Sequence, residues 1–156
     1  VLRLEAGADL TGVRWTGDLP EVPYEIELEA RKTSGYDFFG GLTVPANRQG
    51  DCVTLIVGGW GGGVVGISSI DGMDAAENES ASYREFEMNR WYPVRMVLRD
   101  GSIEAWVEGK QVVDLATAGR KLGLREGAIE ESAPLGLSSF QTTAEVRAIR
   151  WRNLPP

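Results

Sequence analysis

Residues 52–72 read CVTLIVGGWGGGVVGISSIDG, and this stretch decides the predicted fold. Two runs rich in β-branched residues, CVTLIV and VVGISSI, flank a glycine cluster that contains one tryptophan, Trp60. Apolar runs separated by glycines are typical of a β-hairpin, because glycine tolerates the backbone angles of a tight reversal. Glycines also allow a ligand to approach the backbone closely. The stretch therefore predicts two paired strands, with a candidate binding site at the turn around Trp60.

The rest of the chain predicts further short strands. Residues 24–30 (YEIELEA) alternate between apolar and acidic side chains, which indicates a half-buried antiparallel strand. Residues 91–98 and 103–107 predict a second hairpin, because the Asp-Gly pair between them favours a tight turn. The remaining predicted strands are residues 13–16, 38–44, 84–88, 111–115, 135–140 and 146–151.

Two places in these strands predict a local irregularity. The pair Gly40-Gly41 indicates a bulge or a close crossing, and the alternation slips near Arg147 and Ala148, which indicates a bulge. Short strands at roughly eight- to twelve-residue spacing, without a sustained helical period, are typical of a β-sandwich. We therefore expect an all-β sandwich of two antiparallel sheets that forms a single domain over residues 1–156.

Composition excludes several classes of function. The chain carries 16 basic and 23 acidic residues, so it lacks the basic surface that nucleic-acid binding requires. It has no histidine, which excludes Ser-His-Asp and Cys-His catalysis and the common zinc sites. The single cysteine, Cys52, lies in an apolar run and is expected to be a buried, unreactive thiol. No run reaches the roughly 20 apolar residues of a membrane helix, so we expect no membrane insertion.

Aromatic residues and their neighbours supply the candidate ligand-binding side chains. Trp60 has only glycines beside it, so its indole could stack on a sugar ring or fold back as a lid on the sandwich. Trp106 is expected on the polar face of the second hairpin with Arg95 and Arg99. Its ring is either a platform for a ligand or a ring packed by arginine side chains through cation–π contact. Gln141, at a strand end, is a ligand contact or an ordinary loop residue. The tryptophans expected in the core are Trp15, Trp91 and Trp151.

The loop that follows the first hairpin is acidic, with Asp71, Asp74, Glu77 and Glu79 close together. Calcium takes about six to eight oxygen ligands, so these carboxylates are candidate calcium ligands, although their spacing is not that of an EF-hand. The alternatives are a solvated loop, or the rim of a sugar site in which Asp71 or Glu79 accepts hydrogen bonds from hydroxyls. In an enzyme, the four carboxylates would be the candidate catalytic acid and base.

Three segments carry a further pattern: NRWYPVRMVLRDGSIEAWVEGKQVVDL (residues 89–115), GRKLGLREG (119–127) and PLGLSSFQTTAEVRAIRWRNL (134–154). Together they resemble the 3-keto-disaccharide hydrolase domain family, and the resemblance covers residues 52–154. It implies a concanavalin-A-like, laminin-G-like jelly roll and a secreted or extracytoplasmic location. Jelly rolls of this kind include glycoside hydrolases and carbohydrate-binding modules, so the resemblance implies a carbohydrate partner and leaves catalysis open.

Retaining glucanases with this fold carry a Glu-x-Asp-x-Glu strand whose carboxylates line a cleft. The nearest counterpart here is Glu25, Glu27 and Glu29 in residues 24–30, where glutamate occupies the middle position. We interpret this row as the solvated face of a strand. The chain therefore departs from the glucanase pattern at the position that such catalysis depends on.

Three functions stay open from the sequence. The first is a carbohydrate-binding or accessory module that uses Trp60, the acidic loop and Trp106. The second is a hydrolase of glycosides or 3-keto-glycosides that uses a pair of the loop carboxylates. The third is a structural or protein-interaction domain. Because the chain begins at Val1 rather than at methionine, we expect a segment excised from a longer chain, and its oligomeric state stays open.

Overall fold

Twelve strands and one short 3-10 helix make up the computed structural model, which describes every residue from Val1 to Pro156. The strands are β1 (Leu2–Leu4), β2 (Leu10–Arg14), β3 (Tyr24–Ser34), β4 (Gly40–Pro45), β5 (Cys52–Gly59), β6 (Val64–Ser68), β7 (Ser82–Tyr83), β8 (Tyr92–Arg99), β9 (Ser102–Val107), β10 (Lys110–Ala116), β11 (Gly136–Phe140) and β12 (Thr143–Asn153). The 3-10 helix is Ala128–Ser132. The predicted all-β class is confirmed.

The strands form two antiparallel sheets of six strands each. Sheet A has the order β1-β12-β3-β8-β9-β10, and sheet B has the order β2-β11-β4-β5-β6-β7. Strands from the two ends of the chain pair with one another in both sheets, β1 with β12 and β2 with β11. The sheets pack face to face as the predicted jelly-roll sandwich. No helix of the structure has the length and apolar character needed to cross a membrane.

The hairpin predicted around Trp60 is confirmed as β5 and β6, in which Leu55 pairs with Ile67. Trp60 has a φ of 46° and the following Gly61 a φ of 87°. The reversal therefore uses left-handed backbone, which glycine adopts without strain and other residues adopt rarely. The second predicted hairpin is likewise confirmed as β8 and β9.

The core lies between the sheets, because every second residue of the central strands points inward. Thirty buried residues from both sheets form one continuous cluster. Within it, the ring of Phe86 packs edge-on against Phe39 and Tyr92, with centroid distances of 5.2 Å and 4.9 Å. Burial of a large apolar side chain contributes about 1.5–3 kcal/mol to stability, so this cluster is the main source of the fold's stability.

Both predicted irregularities occur in the structure. The register between β12 and β3 shifts after Arg147, and Ala148 has a φ of 54°, which confirms the bulge. At Gly40-Gly41 the register with β5 is unbroken, so the pair marks a close approach rather than a bulge. A Cβ atom on Gly41 would lie 2.4 Å from the Ser138 Oγ atom. Glycine therefore allows β4 and β11 to pack closely at this point.

Two strand predictions were wrong, and one strand was not predicted. Residues 84–88 form no strand; Phe86 packs into the core instead, and the pairing with β6 occurs earlier, at Ser82–Tyr83. The first edge strand is Leu10–Arg14 rather than residues 13–16, because it pairs along the full length of β11. The strand Leu2–Leu4 was not predicted, since three residues are too few to show an alternation.

The tryptophan predictions need two corrections. Trp15 is 55% exposed rather than buried, and its indole lies over Gly17. Trp91 lies outside the core, on the outer face of sheet A, between the guanidinium groups of Arg31 and Arg147 at 4.6 Å and 3.9 Å from its ring. Arginine side chains cover this ring by cation–π contact, so it is shielded without entering the core. Trp151, in contrast, packs against the core as predicted.

Cys52 begins β5 and is half-buried rather than fully buried. Burial, with a further contribution from the Asp51 carboxylate, raises the pKa of its thiol. A raised pKa keeps the thiol protonated at neutral pH, and the protonated form is a poor nucleophile. The prediction of an unreactive thiol therefore agrees with its surroundings.

Tyr24 provides a test of the core. Its side chain is fully buried, and its hydroxyl donates a 2.5 Å hydrogen bond to the Pro45 carbonyl oxygen. The substitution Tyr24→Phe leaves that carbonyl without its donor, so we expect the free energy of unfolding to fall by about 1–3 kcal/mol. Urea denaturation measures the change.

The matched control is Tyr83→Phe, which removes a hydroxyl from a side chain that is 76% exposed. We expect the control to change the free energy of unfolding by less than about 0.5 kcal/mol. Equal stability of Tyr24→Phe and the control would contradict the assigned role of the buried hydrogen bond.

Candidate functional site

The candidate site lies on the outer face of sheet B. In β5 and β6, Leu55 and Ile67 belong to the core, so their neighbours Thr54, Ile56 and Ser68 point to the opposite face. These outward side chains are at most 5% exposed. Outward residues that are this buried indicate that other segments of the chain cover the sheet.

A row of three hydroxyl side chains crosses the middle of this face. Thr43, Thr54 and Ser68 are direct cross-strand partners in β4, β5 and β6. The Oγ1 atoms of Thr43 and Thr54 share a hydrogen bond of 2.7 Å. Each hydroxyl has one donor and two acceptor positions, so the row keeps hydrogen-bonding capacity for a bound molecule.

An apolar strip lies beside the hydroxyl row. Ile56 packs with Phe38 and Ala75 in a small cluster separate from the main core. The rings of Phe38 and Phe140 stack with centroids 6.0 Å apart and an angle of 16° between their planes. The floor of the site therefore combines polar and aromatic surface, which suits a ligand with both hydroxyl groups and apolar faces.

The acidic loop covers the β6 side of this face. The Asn78 side-chain amide donates a 2.7 Å hydrogen bond to the Ile67 carbonyl oxygen, and the Ile67 N–H donates a 2.8 Å bond to the Ser80 hydroxyl. The loop can lie this close because residue 66 is glycine: a Cβ atom on Gly66 would be 3.1 Å from the Ala75 carbonyl oxygen. The loop is thus fixed over this part of the face, but none of its residues, including Asp71, Asp74, Glu77 and Glu79, lines the cavity described below.

The segment over residues 123–132 covers another part of the face. It begins beside β6, where the Ser69 N–H donates a 2.7 Å hydrogen bond to the Gly123 carbonyl oxygen. It ends over β11, where a Cβ atom on Gly136 would lie 2.5 Å from the Ser132 carbonyl oxygen. Because Gly136 pairs with Thr43, this segment bounds the hydroxyl-row end of the site.

A cavity of about 430 Å³ stays open on this face, over β5 and the end of β6, and we call it the sheet B pocket. It is lined by Asp9, Leu10, Asp37, Phe38, Thr54, Ile56, Trp60, Ser68, Arg125, Glu126, Ala128, Ile129 and Phe140. Trp60 is 40% exposed and stands at the edge of this cavity. The structure therefore places the Trp60 indole beside the pocket, in contact with both the cavity and the solvent.

Asp37 connects the Trp60 turn to the floor of the pocket. Its N–H donates a 3.1 Å hydrogen bond to the Thr142 Oγ1 atom, and its carboxylate accepts a 2.8 Å bond from the Phe38 N–H. The second carboxylate oxygen accepts a longer bond of 3.5 Å from the Gly61 N–H. Asp37 is thereby held in place next to Trp60.

The four carboxylates of the acidic loop lie mostly in ion pairs. The Arg120 guanidinium donates hydrogen bonds of 2.5 Å to Asp71 and 2.7 Å to Glu79. The Lys121 N–H and then Arg120 hold the pKa of Asp71 below its usual value, and Arg120 does the same for the pKa of Glu79. Both groups are therefore ionised at neutral pH and serve as hydrogen-bond acceptors.

The other two loop carboxylates lie apart from that pair. The Asp74 carboxylate lies 3.7 Å from the Arg125 guanidinium, and Glu77 is exposed. No three acidic, cysteine or histidine side chains of the chain are grouped so that they could hold a metal ion. Calcium binding at this loop stays a prediction from the sequence.

Trp106, Arg95 and Arg99 lie on the opposite side of the molecule, on sheet A. The Arg95 guanidinium lies 4.4 Å from the centroid of the Trp106 ring and donates a 3.0 Å hydrogen bond to Glu25. Arg99 is exposed at the end of β8. A second cavity of about 480 Å³ borders Arg95 and Trp106. These three candidates therefore cannot share one ligand with Trp60.

Gln141 is adjacent to the sheet B pocket without lining it. Its side-chain amide donates a 3.0 Å hydrogen bond to the Ala8 carbonyl oxygen, and its N–H donates a 2.9 Å bond to the Asp9 carbonyl oxygen. Gln141 thus holds the segment that carries Asp9, a pocket residue. Ligand contact by Gln141 itself stays a prediction.

The glutamate row on β3 is an ion-pair surface. Glu27 pairs with Arg150, Glu29 pairs with Arg147, and Glu25 accepts hydrogen bonds from Arg95 and Arg152. Burial opposes the charge of Glu25, but the hydrogen bonds from Arg95 and Arg152 outweigh it and lower the pKa of this carboxyl. The row is therefore neutralised by arginines on β8 and β12 rather than being only a solvated face.

Most residues of the pocket were not predicted from the sequence. The missed lining residues include Asp9, Asp37, Arg125, Glu126 and Phe140, together with Thr54 and Ser68 of the hydroxyl row. They come from segments that are distant in the chain and meet only through sheet pairing. One signal was present, since Thr54 and Ser68 occupy outward positions inside otherwise apolar strands.

Comparison with known proteins shows a shared fold. No family model and no curated protein matches the chain. Among solved structures, the carbohydrate-binding module CBM66 from Bacillus subtilis is similar with a TM-score of 0.61 at 10% identity, covering 94% of this chain and 83% of that chain. The Crh5 transglycosylase in complex with NAG is similar with a TM-score of 0.60 at 14% identity, covering 98% and 78%.

These likenesses establish the two-sheet β-sandwich, because structural similarity at such low identity reflects the fold rather than the function. The more specific resemblance to the 3-keto-disaccharide hydrolase family is not shown by any family model. This chain is therefore similar to sandwiches found in a carbohydrate-binding module and in a transglycosylase.

Arg120 allows a test of the acidic loop. We expect Arg120→Gln to raise the pKa of Asp71 and Glu79 towards their usual values, because it removes the guanidinium that stabilises both ionised carboxylates. These pKa values are lowered in the folded state, so the ion pairs stabilise the fold at any pH above the usual carboxyl pKa. This stabilisation is lost as the pH falls through the lowered pKa values. Carbon-13 NMR titration of the carboxyl groups measures the change.

The control for this titration is Arg125→Gln, which removes a guanidinium whose partner is Asp74 instead. The pKa values of Asp71 and Glu79 should stay as in the original chain. Unaltered titration of both carboxyls in Arg120→Gln would show that the ion pairs do not form in solution.

Proposed function

We propose that this chain is a carbohydrate-binding module that holds a sugar ring in the sheet B pocket. The observation that carries the proposal is the position of Trp60, a partly exposed indole at the edge of a cavity whose floor combines hydroxyls with aromatic rings. The faces of a sugar ring are apolar enough to pack on an aromatic ring, while its hydroxyls require hydrogen-bond partners. The pocket supplies both kinds of contact.

Each part of the pocket has a distinct role in this proposal. The Trp60 indole packs on one face of the ring, and the Thr54 and Ser68 hydroxyls bind the ring hydroxyls. The Asp37 carboxylate, which is held by backbone N–H groups, accepts a hydrogen bond from a further hydroxyl. The polar groups lie on central strands and on an anchored turn, so little ordering is needed when a ligand binds.

The structures that share this fold support testing sugar binding first. One is by its name a carbohydrate-binding module, and another is a transglycosylase in complex with NAG. Those names describe those proteins. For this chain, the aromatic and hydroxyl groups of the sheet B pocket are the reason to expect a sugar and to expect it on this face.

A second candidate function is hydrolysis of glycosides or 3-keto-disaccharides. It is favoured by two carboxylates that line the same cavity from separate segments, Asp37 beside the Trp60 turn and Glu126 on the segment over residues 123–132. Hydrolysis of this type requires an acid and a base on either side of the scissile bond. Release of monosaccharide from 3-keto or ordinary disaccharides, lost in Glu126→Gln, would favour this function. No release would exclude it for the sugars tested.

Trp60→Ala is the direct test of binding. We expect this variant to bind neutral oligosaccharides about fivefold to 150-fold more weakly, because a stacked aromatic contact in a ligand site contributes roughly 1–3 kcal/mol. A glycan array followed by calorimetry on the strongest neutral ligand measures the loss. Circular dichroism of both proteins shows that the fold is unchanged.

Two matched tryptophan variants locate the site. Trp15→Ala removes an exposed indole outside the pocket, and Trp106→Ala removes the ring on sheet A. Both should bind as tightly as the original chain. Binding that survives Trp60→Ala but is lost in Trp106→Ala would move the site to sheet A and contradict the proposal.

A further inference from the structure

We infer, on the basis of the proposed function, that the sheet B pocket selects sugars by charge: it binds neutral and amino-bearing rings and rejects rings that carry a carboxylate or sulfate. The class of sugar follows from the charged groups that border the cavity. It is not implied by aromatic stacking or by the hydroxyl row, which would accept neutral and acidic rings alike.

Three carboxylates and one guanidinium border the cavity. Asp9 and Asp37 line it near the β2 edge and the Trp60 turn, and Glu126 and Arg125 line it on the segment over residues 123–132. The Arg125 guanidinium lies 3.7 Å from the Asp74 carboxylate, so its charge is already partly balanced. The border of the pocket is therefore net negative.

The pocket carboxylates differ from most others on the faces of this sandwich. None of the ion pairs of the chain involves Asp9, Asp37 or Glu126. On the outer face of sheet A, in contrast, Glu27 and Glu29 are each paired with an arginine. The negative charge of the pocket border is thus not neutralised by ion pairs within the chain, and it acts on a bound ligand.

One further basic group lies near the turn, but it does not line the cavity. Lys32 is 7% exposed at an inward position of β3, and its Nζ atom lies 4.0 Å from where a Cβ atom on Gly62 would be. It is absent from the lining of the pocket. Lys32 therefore does not offer an anionic ligand a direct partner.

The position of Asp37 explains how the negative charge of the pocket border acts on a bound sugar ring. Its carboxylate accepts a 2.8 Å hydrogen bond from the Phe38 N–H and a longer one of 3.5 Å from the Gly61 N–H, which orient it beside the Trp60 turn. A ring carboxylate in the pocket would lie within a few ångströms of this like charge, in a site partly shielded from water, where repulsion is strong. A ring ammonium in the same place would be attracted.

The experiment compares three sets of oligosaccharides with the same linkages, in glucose and galactose configuration: neutral, 2-amino and uronate. Binding is measured at pH 7 by calorimetry on the full chain in low salt. We expect the neutral and amino forms to bind, with the uronate form at least about tenfold weaker. In 1 M salt, where the Debye length is about 3 Å, this difference should shrink.

Two variants test whether the named carboxylates cause the selectivity. Asp37→Asn and Glu126→Gln each remove one negative charge from the pocket border, and each should reduce the difference between neutral and uronate ligands by about threefold or more. Glu126 is exposed, so its variant keeps the test valid even where Asp37→Asn disturbs the turn. The matched control is Glu77→Gln, which makes the same charge change on an exposed loop residue outside the pocket and should leave the difference unchanged.

The outcomes separate the selectivity from the binding itself. Uronates that bind as tightly as neutral sugars, with binding lost in Trp60→Ala, would overturn the selectivity and leave the carbohydrate-binding function intact. The two pocket variants and the control could all change the difference between neutral and uronate affinity equally. The overall charge of −7 would then cause the difference, and the selectivity of the pocket would be overturned. Absence of binding to every sugar would overturn the proposed function, and the selectivity with it.

Discussion

The pairing of β5 with β6 sets both the core and the chemistry of the pocket. Side chains alternate between the two faces of a strand, so a slip of one residue would carry Leu55 and Ile67 outward and bring Thr54 and Ser68 into the core. Unpaired hydroxyls in an apolar core are costly, and exposed aliphatic side chains lose the stabilisation of burial. The hydrophobic core therefore fixes the register, and the register places Thr54 and Ser68 on the pocket floor.

The two outer faces of the sandwich carry different chemistry although both consist of antiparallel strands. On sheet A, glutamates of β3 are neutralised by arginines of β8 and β12, and arginines also cover the Trp91 and Trp106 rings. On sheet B, Gly66 and Gly136 allow covering segments to lie directly on the strands, which leaves a cavity between them. Only this second face brings an aromatic ring, hydroxyls and unpaired carboxylates together around one cavity.

The sequence predicted the parts of this protein that depend on local pattern. Both hairpins, the bulge near Arg147 and the all-β class follow from alternation and turn residues, which neighbouring positions determine. The partners of Asp71 and Glu79 were not predictable in this way, because Arg120 is 49 residues beyond Asp71 in the chain and meets it only when the sandwich closes. Trp91, beside Tyr92 at a strand start, and Trp15, near the end of the chain, were predicted to be core residues from these positions, which do not reveal the residues around them. Only part of the pocket was predictable. The glycines around Trp60 indicated a candidate site residue, whereas no local pattern indicated Asp37 or Glu126.

The most direct test of the account is a map of NMR shifts while the chain is titrated with a neutral oligosaccharide. We expect the Trp60 indole signal and the amide signals of Thr54, Ile56 and Ser68 to move together with one dissociation constant, while the Trp106 indole signal stays in place. Shifts centred on Trp106 and Arg95, with the Trp60 indole unchanged, would place the ligand on sheet A and contradict the central claim that the sheet B pocket is the binding site.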